Sequence, residues 1–209
     1  MTPPVVPRWA LASAIAAPVA MIGGWTLAAA RQPSFDGVEE TISALAASTA
    51  TDPWIMTAGL AATGVAHMVT AAGLRPVPRT ARALQALGGA ATLAVAALPV
   101  DRYPTAHGVA AGIGFGALAL WPALARRRGA TGILRPAVAV GASAALVGLL
   151  GVFVVELQGG GAATGLAERA VAGAQAVWPL VVVVALRREA AGRQPSRSAR
   201  TSNAESHPS

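Results

Sequence analysis

The 209-residue sequence contains no cysteine. Disulfide frameworks, thiolate metal sites and cysteine nucleophiles are therefore excluded. Lysine is absent too, so all 16 basic residues are arginine. Aromatic residues make up 4% of the chain and charged residues 12%, the latter about half of the ~25% usual in soluble domains. What fills the chain instead is apolar: 54% of residues are hydrophobic and the mean hydropathy is +0.55. A disordered chain needs low hydrophobicity and high charge, and an ordinary soluble domain could not hide this much apolar surface. A polytopic membrane protein is the class that remains. The net charge of +7 does not indicate nucleic acid, because the arginines are scattered between long apolar runs. Missing lysine beside abundant alanine points to a GC-rich bacterial genome.

Six runs approach the roughly 20 apolar residues that cross a bilayer: Ala10–Ala30, Trp54–Leu74, Ala83–Val100, Gly108–Ala125, Pro136–Leu157 and Ala170–Leu186. In lipid, backbone amides must pair within a helix or a closed barrel. Barrel strands alternate apolar and polar residues, whereas these runs are continuous, so they are helices. The fold class expected is an all-α six-transmembrane-helix bundle. The first run follows Arg8 and ends in Ala28-Ala29-Ala30, which resembles a cleavage site. It is longer than the roughly 7–15-residue core of a signal peptide, so the first helix is expected to be retained.

Arginine placement sets orientation. Arg8, the Arg75–Arg79–Arg82 group, Arg126, Arg127, Arg128 and Arg135, and the tail arginines 187, 188, 193, 197 and 200 fall on one side of six spans. Only Arg31, Arg102 and Arg169 fall on the other. The first side is expected to be cytoplasmic, with both termini inside and the protein in the bacterial inner membrane. The chain then divides into a cytoplasmic N-terminus (1–9), a transmembrane domain (10–186) and a disordered cytoplasmic tail (187–209), rich in Ser, Arg, Gly and Pro. Trp9 and Trp121 near the inner boundary, and Trp54 and Tyr103 near the outer, read as interfacial anchors.

The first outer loop carries Phe35, Val38, Ile42 and Leu45 at helical spacing, with Asp36 and Glu39 arranged like a capping box. Residues 34–50 are expected to form an amphipathic outer helix between helices one and two. Its acids Asp36, Glu39 and Glu40 can simply offset a helix dipole. Alternatively they build an acidic mouth with Asp101, His107 and Glu156, able to do acid–base work or hold a cation. No metal-ligand spacing, P-loop or hydrolase motif is present, and no cofactor or metal is expected.

Within the spans, His67 is the one deeply placed ionisable residue, about 20 Å along its helix from Trp54. Gln85 is its candidate hydrogen-bond partner, and Gln175 reads as structural glue. Gly108, Gly112 and Gly116 form a small-residue stripe expected to pack inside the bundle, or alternatively to seam a homodimer.

Several pieces in order carry a family resemblance. They are Thr41-Ile42-Ser43-Ala44-Leu45-Ala46, Trp54-Ile55-Met56-Thr57-Ala58 leading to Gly64 and His67, Gly73-Leu74-Arg75, His107, Leu120-Trp121-Pro122, and Gly165-Leu166-Ala167-Glu168-Arg169 leading to Trp178-Pro179. Over residues 10–186 the chain resembles the bacterial membrane-protein family called domain of unknown function 998. The resemblance implies a six-helix integral membrane fold and no established reaction.

Three functional readings follow. The first is a non-enzymatic protein surrounded by membrane lipids that binds a lipid or serves as a subunit for a protein partner. The second is a membrane-embedded enzyme acting on a lipid or isoprenoid at the outer leaflet, with Glu156 as its acid beside His107. The third is a small-molecule transporter using His67 as a proton site.

Overall fold

The computed structural model describes residues 5–192. Among them it forms seven α-helices and no strand: α1 (Arg8–Ala29), α2 (Ile42–Leu45), α3 (Trp54–Gly73), α4 (Arg79–Ala97), α5 (Pro104–Leu124), α6 (Pro136–Gly159) and α7 (Thr164–Gly192). Proline opens α5 and α6 at the first helical position, where its missing N–H is no loss. Gly160 ends α6 with φ of 62°, a left-handed cap that glycine adopts without strain.

The six long helices neighbour one another in the order α1, α3, α4, α5, α6, α7, and α7 returns to α1, closing a ring. Short connections make successive helices antiparallel. One end gathers Val6, Leu74, Val77, Trp121, Leu134 and Leu186 and carries most of the arginines. The other gathers Ala28, Ile42, Leu45, Met56, Val95 and Ala110 and carries most of the acids.

Five helices, α1, α3, α5, α6 and α7, are long and apolar enough to cross a membrane by length and composition. The chain is a multi-pass membrane protein. The third expected span, α4, falls short of that standard, because Arg79, Arg82 and Gln85 occupy its first two turns. The expected tail starts as helix, since α7 continues to Gly192; residues 193–209 lie outside the described residues.

Close packing does not use the expected stripe. A Cβ added at Gly108, Gly112 or Gly116 would meet no atom within 4 Å, so this face of α5 is open in the monomer. The tight crossings rest on other glycines. Gly24 and Gly59 join α1 to α3, and Gly64 and Gly89 join α3 to α4. Gly88 makes room for Leu118 between α4 and α5. Regular GxxxG spacing marks a smooth face but does not say what lies against it. A further join is polar. Pro122 leaves α5 one N–H short, and the Ser143 hydroxyl of α6 inserts one step away. It accepts from the Ala123 N–H at 2.9 Å and donates to the Ala119 carbonyl at 2.8 Å.

The segment expected as a helix over 34–50 is instead one helical turn, α2, flanked by turns. Its backbone is claimed elsewhere. The Val38 and Glu39 carbonyls accept the N–H groups of Leu166 and Gly165, and the Gly37 and Glu40 carbonyls accept Arg169 Nη1 at 2.9 and 2.8 Å. A helix through 37–40 would need those same carbonyls. The exchange also satisfies the free N–H groups that open α7. Of the expected apolar face, Ile42 and Leu45 are buried, while Val38 is exposed and Phe35 lies under the Arg169 guanidinium at 5.3 Å.

Candidate functional site

The Thr41 hydroxyl caps α2 by accepting the Ala44 N–H, which fixes the turn and aims Ser43 into the protein. From α7 the Glu168 carboxylate reaches up to this turn. Oε2 accepts the Ile42 N–H at 2.5 Å, and Oε1 lies 3.4 Å from Ser43 Oγ. From α5 comes His107, whose Nε2 lies 3.0 Å from Ser43 Oγ and whose Nδ1 lies 2.7 Å from the Leu98 carbonyl. Three elements distant in sequence thus converge on one hydroxyl. Glu168 and His107 are both buried.

Beneath α2 lies a cavity of about 50 Å³, room for roughly three to five waters. Every helix except α6 contributes to its wall. Met21, Leu60, Val95, Phe115, Leu118 and Ala172 make that wall largely apolar, and Ser43 and Glu168 are part of it. Thr63, His67, Thr92 and Gln175 add polar groups from the surrounding helices.

The acids singled out in the sequence do not gather around His107. Asp36 Oδ1 accepts the Val38 N–H at 2.7 Å, and Glu40 Oε1 accepts the Asp36 N–H at 2.9 Å; Asp36, Glu39 and Glu40 are exposed. Glu156 folds onto its own loop and accepts the Ala163 N–H at 3.1 Å. Asp101 accepts the Ser48 hydroxyl and, at 2.9 Å, the Ser48 N–H. Those bonds, the hydroxyl first, hold its carboxyl below the usual aspartate range.

Inside the bundle His67 is buried, but Gln85 is not its partner. Neither amide atom of Gln85 has a hydrogen bond, nor does His67 Nδ1. Gln175 Nε2 donates to the Phe115 carbonyl at 2.9 Å, tying α7 to α5. Trp9, Trp54 and Tyr103 are exposed near helix ends, whereas Trp121 is fully buried and belongs to the core.

Sequence reasoning named His107 but missed Ser43 and Glu168 as its company. The signal available was the spacing of Glu168, Ala172 and Gln175, which puts all three on one face of α7.

A family model described as "Protein of unknown function (DUF998)" matches residues 14–185. No curated protein and no solved structure matches the chain.

Proposed function

The chain belongs to the DUF998 family of proteins of unknown function, and from that premise we propose that it is a six-span membrane protein that binds a lipid-soluble ligand beneath α2. The ligand's polar end group sits at Ser43 and Glu168, and its first carbons occupy the apolar cavity below. The observation that carries this reading is the cavity itself, apolar along most of its wall, with Ser43 and Glu168 among its few polar groups. Small-molecule sites combine these two characters.

The sixth span is α4. Its start lies with Trp121 and Leu186 at one end of the bundle through Ala81, and its finish lies with Ala28 and Met56 at the other through Val95. The arginine-rich end faces the cytoplasm, following the bias of positive charge to that side, in a bacterial inner membrane. Residues 10–186 form the transmembrane domain, with 1–9 and 187–209 on the cytoplasmic side.

Native mass spectrometry of protein released gently from its own membrane tests the binding. One ligand mass, retained at one per chain and lost when Ala172→Phe fills the cavity, is the expected result. A bare protein, or one carrying a random lipid mixture, overturns the reading and favours a subunit that packs against a protein partner.

A further inference from the structure

Resting on the ligand-binding reading, we propose that Ser43 is a nucleophile for acyl transfer and His107 its base, acting on an ester or other activated acyl group of the lipid-soluble substrate.

Hydrogen-bond bookkeeping assigns the roles. A carbonyl oxygen only accepts, so the 2.7 Å contact between His107 Nδ1 and the Leu98 oxygen places the ring proton on Nδ1. In the neutral ring Nε2 then carries a lone pair, and it faces Ser43 Oγ at 3.0 Å. The hydroxyl has one proton and two acceptors in reach, Nε2 at 3.0 Å and Glu168 Oε1 at 3.4 Å; the nearer, Nε2, takes it. This is the arrangement a serine needs for activation: nucleophile against base, with the base held in one tautomer by a third group. Here the third group is a main-chain carbonyl.

Burial divides the pair in the same sense. His107 is 5% exposed and is not part of the cavity wall, whereas Ser43 is. The Glu168 carboxylate anchors the Ile42 N–H, and Arg169 holds the backbone on the other side of Thr41, so the turn carrying Ser43 is fixed from both flanks.

The step balances without any further reagent than water. Ser43 Oγ adds to the acyl carbon while its proton passes to His107 Nε2. The bond from the acyl carbon to the leaving oxygen breaks, and that oxygen takes the proton from Nε2. The acyl group is left as an ester on Ser43. Water, or an acceptor alcohol, then gives a proton to Nε2 and attacks the same carbon; the bond from that carbon to Ser43 Oγ breaks, and Oγ takes the proton back from Nε2. The sum is ester plus water giving acid plus alcohol, or exchange of one alcohol for another. A cavity with room for roughly three to five waters favours small acyl groups over long chains.

The test is a fluorophosphonate probe applied to the full-length protein in nanodiscs, with the labelled residue located by peptide mass spectrometry. Label on Ser43 is expected, absent in Ser43→Ala and formed at least about a hundredfold more slowly in His107→Gln, as loss of a general base requires. Ser43→Cys adds a second readout. The chain has no native cysteine, so alkylation by iodoacetamide reports on this position alone, and it should slow in the Ser43→Cys, His107→Gln double variant. Folded protein that retains its ligand but leaves Ser43 unlabelled overturns the acyl-transfer inference and leaves the binding reading standing. Labelling that His107→Gln does not slow overturns it equally. Label on Ser43 in protein that holds no ligand supports the inference and removes the binding reading.

Discussion

A Cβ on Gly64 would lie 2.6 Å from the Gly89 carbonyl oxygen, and a Cβ on Gly89 would lie 2.6 Å from the Gly64 carbonyl oxygen. The two backbones of α3 and α4 touch at this crossing, and neither has a flexible group to yield. Without a hydrophobic drive between helices in lipid, such contact is what holds them together. Gly89→Ala is expected to destabilise the protein by about 1–3 kcal/mol, read as a lower melting temperature in detergent. Gly112→Ala, with open space around its Cβ, is the control and should leave that temperature unchanged.

Arg169 Nη1 spans three carbonyls, those of Gly37, Glu40 and Gly165. A lysine ammonium cannot hold this set while stacking over Phe35. Arg169→Lys is expected to cost about 2 kcal/mol and to open residues 31–53 to proteolysis, with the long helices intact. Equal protease resistance in wild type and variant would refute the clamp.

Ser143 closes a gap in α5 by bonding both Ala123 and Ala119. Ser143→Ala leaves that N–H and carbonyl without the hydroxyl they share. The expected cost is about 1–2 kcal/mol. Hydrogen exchange at Ala123 should speed up, while exchange in α3 stays the same.

Asp101 ties the α4–α5 connection to Ser48. Its folded-state pKa is lowered, so its contribution is fully present above the ordinary aspartate value and is lost as pH falls through the lower folded value. Wild type should therefore exceed Asp101→Asn in stability near neutral pH, and the two should converge in acid. Chemical denaturation across that range measures it. A constant difference at every pH would contradict the proposed link.

The proposed orientation is open to a direct check. With no native cysteine, single cysteines at Arg31 and Arg128 give a clean pair. In intact cells an impermeant maleimide should label Arg31→Cys at once and Arg128→Cys only after permeabilisation. The reverse pattern would invert the topology.

The six long helices were legible as runs because continuous hydropathy in lipid admits only one local structure. The short helix was not, because its extent is set by which carbonyls α7 claims, and Arg169 lies 129 positions from Glu40. The same holds for the site. His107 stood out as a histidine at a helix end, but Ser43 is 64 positions away from it and nothing in either neighbourhood announces the other. Glu156 looked the better acid because it ended an apolar run, yet that same position lets it turn back on its own loop. The stripe Gly108, Gly112 and Gly116 shows a related limit, since its face meets no helix of the ring. Spacing describes a face, and the partner of that face is decided by the ring.

The clasp of α7 on residues 37–42 also sets a timetable. Ser43 and Glu168 are 125 residues apart, and a ribosome needs roughly 6–25 s to make that stretch at about 5–20 residues per second. Through that interval the early loop has emerged without the groups that hold it, so its turn and the roof of the cavity are shaped by the last helix to arrive. A chain truncated before residue 164 can insert its earlier helices and still never assemble the site.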